Sequence, residues 1–155
     1  MKKMLLLVTH GTMLLIGFSV GIYLLPILTQ PPAPDDQMVG SVASQALFTG
    51  QFQPDLKGSD ALHYGDGTLY VSNAMIAFSG LISPGPDYRL YLSSEFVETK
   101  ADFLAKKSVM KQVGEVKTFD NFIVTLPDDI DPAVYNTAIV WCEAFGIFIT
   151  AGKYQ

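Results

Sequence analysis

The residue of this sequence most able to do chemistry is its single cysteine, Cys142, which directly follows the single tryptophan, Trp141. A thiol can serve as a redox group, as a metal ligand or as a small buried apolar side chain. One cysteine cannot form a disulfide within this chain, so a two-electron dithiol cycle confined to it is excluded. A reactive thiolate needs positive charge nearby, but the neighbours Ile139, Glu143 and Phe145 supply apolar surface and a carboxylate instead. The three roles stay open, and these neighbours favour burial.

Metal chemistry is limited by the number of available ligands. The chain has two histidines, His10 and His63, and His10 lies in an apolar segment near the N-terminus. A blue-copper site needs two histidines beside the cysteine and a structural zinc site needs four ligands, so we predict no metal site of either kind. The aspartate-rich stretch 127–132 matches no complete calcium-binding loop and is typical of a turn. No C-x-x-C-H motif is present for covalent haem, whereas haem held by a single His, Met or Cys ligand stays open, so the cofactor is left unspecified.

A short polar turn offers a contact surface rather than a catalytic group. Gly85, Pro86 and Asp87 form the turn signal "GPD", and Arg89 follows two residues later. We predict that these four residues, together with Trp141, line a pocket or a contact surface. No Ser-His-Asp order, phosphate-binding glycine loop or spaced pair of catalytic carboxylates is present, so enzymatic activity in the ordinary sense is not expected.

The N-terminal segment, residues 1–28, is predicted to anchor the chain in a membrane. The apolar run Met4–Leu28 is long enough, at about 1.5 Å per residue, to reach roughly 37 Å. A bilayer has a hydrocarbon core of about 30 Å, so this run can cross it with some tilt. The run exceeds the apolar region of a cleaved signal peptide, and no small-x-small cleavage site follows it. We therefore expect an uncleaved signal anchor and a single membrane span.

The flanking charges predict the orientation of this anchor. Lys2 and Lys3 precede the apolar run, which places the N-terminus in the cytoplasm and residues 30–155 outside, in the periplasm if the cell is Gram-negative. Within the run, Gly17 and Gly21 form a small-x-x-x-small pattern that lets two helices approach closely. This pattern suggests a homodimer through the anchor.

The charge of the chain argues against nucleic acid as a partner. The formal net charge is −5, and the part outside the anchor is more acidic still, because Lys2 and Lys3 lie at the N-terminus. The densest group of lysines is the stretch 106–111, which is typical of a solvated surface on an acidic domain.

Between anchor and domain, residues 29–45 are predicted to be a tether. Pro31, Pro32 and Pro34 favour an extended, polyproline-like backbone, and two aspartates follow them. The prediction is a stiff, solvated spacer.

The remaining residues, 46–155, have the pattern of an all-β domain. Short apolar stretches alternate with turn residues, and "GDG" at 65–67 predicts a β-hairpin. Only the stretch 99–107 is predicted to be a helix, with one further helical turn near 131–135. Many short strands with little helix indicate an antiparallel β-sandwich or a small barrel.

Several motifs in this domain resemble one known family. They are "GQF" at 50–52, "GSDA" at 58–61, "GPDYRLYLS" at 85–93 and "VWCEAF" at 140–145. In this order they resemble the DM-thirteen domain, a module associated with DOMON and Skeletor-type proteins and present in bacterial membrane-anchored proteins. The resemblance implies an all-β extracytoplasmic domain that serves electron transfer through its characteristic cysteine, here Cys142.

Two functions remain. In the first, the domain is a redox component that uses Cys142, with Trp141 close to the electron path or to a cofactor between the sheets, and has a redox or protein partner in the periplasm or at the cell surface. In the second, it is a non-catalytic scaffold that binds a ligand or a protein through the turn at 85–87, and its cysteine is structural. The resemblance favours the first function, and the expected surroundings of the thiol favour the second.

Overall fold

A computed structural model describes residues 1–155 of the chain. It begins with a 28-residue helix, α1 (Lys2–Thr29), whose mean hydropathy over its most apolar window is 2.0 and which has no buried residue. This helix is long and apolar enough to cross a membrane. The remaining elements are α2 (Asp36–Ala43), β1 (Phe48–Phe52), β2 (Gly65–Val71), β3 (Met75–Ile82), β4 (Tyr88–Ser93), α3 (Lys100–Lys106), β5 (Lys111–Val116), β6 (Phe122–Thr125), β7 (Thr137–Cys142) and β8 (Ile147–Lys153).

The eight strands form two antiparallel sheets of four strands each. The strand order is β1-β2-β3-β6 in the first sheet and β5-β4-β7-β8 in the second. Between the sheets lies a core of 21 buried residues, which includes Leu69 and Phe78 from the first sheet and Leu90 and Val140 from the second. The predicted antiparallel sandwich is therefore confirmed in outline, although α2 and α3 make the domain mostly rather than entirely β.

Strand β7 is buried on both faces. All six of its residues are buried, and it lies between β4 and β8 in its sheet. Its alternate residues Val140 and Cys142 join the core between the sheets, whereas Trp141 joins a second cluster on the outer face of its sheet. That outer face is covered by Phe103 of α3, whose ring stacks on the Trp141 ring at a centroid distance of 4.0 Å. A continuous apolar run suits such a strand, because both of its faces are apolar.

The helix predicted at 99–107 is present as α3, and its first turn explains where it begins. The Thr99 hydroxyl accepts a hydrogen bond from the Asp102 backbone amide at 3.2 Å, which satisfies one of the free donors at a helix N-terminus. The predicted helical turn near residue 131 is present as a single 3₁₀ turn, Pro132–Val134.

The predicted tether contains a helix, which differs from the extended spacer that its prolines suggest. Helix α2 starts after the last of these prolines, and the Asp35 side chain caps it by accepting from the Met38 backbone amide at 2.8 Å. Its residues Val39 and Val42, three positions apart, are buried against Ala77 on the outer face of the first sheet. The tether prolines stay outside any helix, and the cap and this apolar stripe favour a helix in the residues that follow them.

The "GDG" stretch also differs from its prediction, because it lies inside a strand. Residues 65–67 begin β2, and the turn between β2 and β3 is instead built around Ser72, whose hydroxyl accepts from the Met75 backbone amide at 3.0 Å. Gly67 pairs directly with Gly80, with φ angles of +150° and +154°. A Cβ on Gly80 would lie 2.2 Å from the Asp66 carbonyl oxygen, so glycine is needed here for close approach of two backbones and not for a hairpin turn.

Two glycines give a direct test of this fold: Gly80, which lies against a neighbouring backbone, and Gly40, which lies in α2 with open space around it. We expect Gly80→Ala to lower the melting temperature of the full chain, since the backbone conformation alone costs about 1–3 kcal/mol with a side chain present. We expect Gly40→Ala to raise it slightly, because a Cβ there meets nothing within 4 Å and alanine gains about 0.5–1 kcal/mol inside a helix. Thermal unfolding followed by circular dichroism measures both. A Gly40→Ala variant with reduced stability would contradict α2, and a neutral Gly80→Ala variant would contradict the pairing of the two glycines.

Candidate functional site

A cavity of about 560 Å³ opens at the end of the sandwich that faces α1. At this end β7 finishes and β4 and β8 begin, so the turns between strands form its walls. Five residues of α1 between Ser19 and Leu24 form one side, and ten of the fifteen lining residues are hydrophobic. The cavity is therefore an apolar space shared between the helix and the domain.

Cys142 is on the wall of this cavity. It is the last residue of β7 and only 2% of its surface is exposed. Burial raises the pKa of its thiol above the ordinary value, although the backbone amides of Phe145, Asp87 and Ala144 act in the opposite direction. The thiol is thus protonated at neutral pH, and it is a weak nucleophile. The three amides would stabilise negative charge on the sulfur if charge developed there.

The predicted turn of Gly85 and Pro86 lies beside Cys142 on the same cavity wall. The Glu143 backbone amide donates to the Asp87 carbonyl at 2.9 Å, which joins the turn to the end of β7. The buried Tyr88 side chain stabilises the turn, because its hydroxyl donates to the Ser83 carbonyl at 2.9 Å. Burial raises the pKa of this tyrosine well above its ordinary value, so its hydroxyl stays protonated.

Asp87 and Arg89, the other predicted contact residues, line a neighbouring second cavity of about 240 Å³. Their side chains form an ion pair at 2.9 Å, and Arg89 also pairs with Glu115. The Arg89 guanidinium is therefore already paired with two carboxylates of the protein itself. The predicted turn is therefore divided between the two cavities. Gly85 and Pro86 line both cavities, whereas Asp87 and Arg89 line the second cavity alone.

Trp141 lies on the opposite face of the sheet from Cys142, away from the cavity. Adjacent residues of a strand point to opposite faces, which separates the tryptophan from the thiol although they are neighbours in sequence. Around it, Lys107 lies 5.7 Å from the Trp141 ring centroid and forms an ion pair with Glu143 at 2.7 Å. Burial raises the pKa of the Glu143 carboxyl, but hydrogen bonds from Lys107 and Tyr91 outweigh it and hold that pKa below its ordinary value. Lys107 and Glu143 thus stabilise the position of Trp141 on the outer face of β7.

His63, one of the two histidines of the chain, lies on the cavity wall. Its Nδ1 atom is 2.9 Å from both carboxylate oxygens of Asp60, and this hydrogen bond lowers the pKa of that carboxyl. The spacing of an aspartate three residues before a histidine is the one local signal for this pair. The contribution of α1 has no such signal, because it depends on contacts between residues roughly 40 to 130 positions apart.

The structure contains no group of three or more His, Cys, Asp or Glu side chains positioned to hold a metal ion. The cavity therefore offers a thiol, an imidazole and hydroxyl groups in an apolar surrounding. Such a set suits an organic molecule with a few polar atoms better than a bare cation.

The burial of Cys142 predicts the reactivity of its thiol. We expect a bulky maleimide to leave the native full chain unmodified at neutral pH and to react fully in guanidinium, with mass spectrometry as the readout. We also expect Cys142→Ser to destabilise the protein by about 1–3 kcal/mol if its hydroxyl finds no partner. Cys142→Ala would cost less, because it places no polar atom there. Complete native modification within minutes, together with wild-type stability of the Ser variant, would contradict this environment.

Comparison with known families agrees with the motifs and with the fold. A family model described as Electron transfer DM13 matches residues 48–154, which begin with the first residue of β1 and include all eight strands and Cys142. No match was found among the curated proteins or among the solved structures. Because the matched range covers well over half of the chain, the chain belongs to the Electron transfer DM13 family.

Proposed function

We propose that this protein is a membrane-anchored, extracytoplasmic electron-transfer component whose redox group binds in the cavity beside Cys142. The observation that carries this proposal is the position of the only thiol. It lies on the wall of a cavity with the volume of a small-molecule site, which is roughly 300–1,000 Å³ in most proteins.

The chemistry of the thiol supports a contact role rather than a dithiol cycle. The chain has one cysteine, so it cannot shuttle between a dithiol and an internal disulfide. Its raised pKa keeps Cys142 a neutral thiol, which is a poor partner for direct exchange with another thiol. The group in the cavity supplies the electron couple when bound. Cys142 contributes a polarizable sulfur against that group, and the nearby backbone amides favour negative charge at this point.

The anchor supports a function at the membrane surface. Ile27 of α1 packs against the core between the sheets, and the Phe119 backbone amide donates to the Gln30 side chain at 3.3 Å. These contacts keep the cavity end of the sandwich against the helix. With Lys2 and Lys3 on the cytoplasmic side, residues 30–155 lie outside, and electrons are exchanged with a partner at the outer surface of the membrane.

A redox titration tests the function. We expect the full chain, purified in mild detergent, to carry a group with a visible or near-ultraviolet spectrum that changes reversibly with applied potential. Cys142→Ala should lower the content of this group or shift its midpoint potential, because the sulfur contacts it. Ile76→Val, a core truncation at the opposite end of the sandwich, should change neither.

The contrary result would favour a scaffold with a structural cysteine. That result is a folded chain, shown by circular dichroism, with no spectral change between oxidising and reducing potentials.

Protease accessibility tests the orientation. In spheroplasts of a bacterium expressing the chain with a C-terminal epitope, we expect added protease to remove the domain and leave α1 in the membrane. Disruption of the membrane should be needed to digest a cytoplasmic control protein. Protection of the epitope, or a mature N-terminus mapped beyond residue 28, would contradict the anchored, outward-facing arrangement.

A further inference from the structure

We propose that the cavity beside Cys142 takes a bilayer-soluble quinol, a hydroxylated aromatic ring with an apolar tail, and that a ring hydroxyl donates to Nε2 of His63. This inference rests on the proposed electron-transfer function and specifies the ligand of the same cavity. The proposal concerns the binding of the quinol and no chemical step.

The position of α1 indicates that the ligand comes from the membrane. Helix α1 reaches Ser19, the first residue of the cavity wall, after a stretch of only about 25 Å at ~1.5 Å per residue. A hydrocarbon core is about 30 Å thick, so this wall begins inside the outer edge of the apolar layer. The space between helix and domain is therefore in contact with the bilayer.

The rim of the cavity is suited to the same surface. Leu62 and Phe145 both line the cavity next to α1, and they are 60% and 48% exposed. Large apolar side chains beside a membrane helix gain free energy by entering the lipid interface, at roughly 25 cal/mol per Å² of apolar area covered. With this rim in the interface, a molecule dissolved in the bilayer reaches the cavity without passing through water.

The polar groups of the cavity select a ligand that carries a hydrogen-bond donor. The Asp60 carboxylate holds His63 through Nδ1, so in the neutral ring the proton lies on Nδ1 and Nε2 is left as an acceptor. The hydrogen bonds of the His63 ring involve Nδ1 alone, so Nε2 is free. The wall hydroxyls of Tyr88 and Ser19 already donate to the carbonyl oxygens of Ser83 and Leu15. A quinol hydroxyl satisfies Nε2, and a plain acyl chain does not.

The volume and lining of the cavity fit the rest of the molecule. About 560 Å³ holds a substituted ring and the start of its tail, and the remainder of the tail can leave between α1 and Phe145 into the lipid. The apolar lining suits the ring faces, and the Cys142 sulfur offers a favourable sulfur–aromatic contact. The ligand would thus bridge the protein and the bilayer.

The test uses the full chain in phosphatidylcholine nanodiscs without oxygen. The probe is a fully substituted benzoquinol with a decyl tail, whose ring has no hydrogen for a thiol to replace. We expect it to raise the melting temperature of the domain, because a ligand that binds only the folded state stabilises it. We also expect it to slow the modification of Cys142 by N-ethylmaleimide at least fivefold. This reagent is small enough to enter the cavity and react over hours, whereas a bulky maleimide is excluded.

Two variants locate the hydrogen bond. His63→Ala should raise the quinol concentration for half-maximal protection about tenfold, and His63→Gln, which keeps an acceptor, should recover part of the loss. His10→Ala is the matched control, since it removes the other histidine from a part of α1 outside the cavity, and it should change nothing. Circular dichroism establishes that each variant is folded.

Three results would overturn the proposal. They are equal protection by a decyl ester without a ring, protection that His63→Ala leaves unchanged, and no protection at any quinol concentration. Each of them leaves the electron-transfer function standing if the purified chain carries a reversible redox group. The absence of such a group removes the function even where added quinol binds, so the two failures are distinguishable.

Discussion

The burial of β7 on both faces is the constraint on which the rest of the structure depends. Its inward residues Val140 and Cys142 pack between the sheets, and its outward residue Trp141 stacks on Phe103. A shift of the strand by one residue would exchange the two rows and place the tryptophan between the sheets. The register is therefore fixed by two different clusters at once. It leaves the thiol at the last inward position, where the core ends and the cavity begins.

Helix α1 and the domain form the candidate site together. Helix α1 is long and apolar enough to cross a membrane, and its residues from Ser19 to Leu24 also close one side of the cavity. The packing of Ile27 on the core and the contact of Gln30 with Phe119 hold that side in place. Removal of α1 would open the cavity to water and expose its apolar wall. Helix α1 is thus part of the candidate site.

Much of the fold could be predicted from local patterns, and most of the site could not. The apolar run of β7, the capped helix after Thr99 and the antiparallel sandwich follow from periodicity and turn residues. Glycine signals were ambiguous, since the same residues serve a tight turn or a close approach of two strands, as at Gly67. The cavity depends on contacts between α1 and distant turns, which leave no periodic trace. The grouping of Trp141 with Cys142 could have been avoided, because adjacent strand residues face opposite sides.

The central claim is that a small molecule occupies the cavity beside Cys142 in the protein as it exists in the membrane. Native mass spectrometry of the full chain, released directly from membrane extracts, tests it most directly. We expect a species heavier than the polypeptide by the mass of one organic molecule, with less of that species in the Cys142→Ala variant. A folded chain that appears only at the polypeptide mass would contradict it.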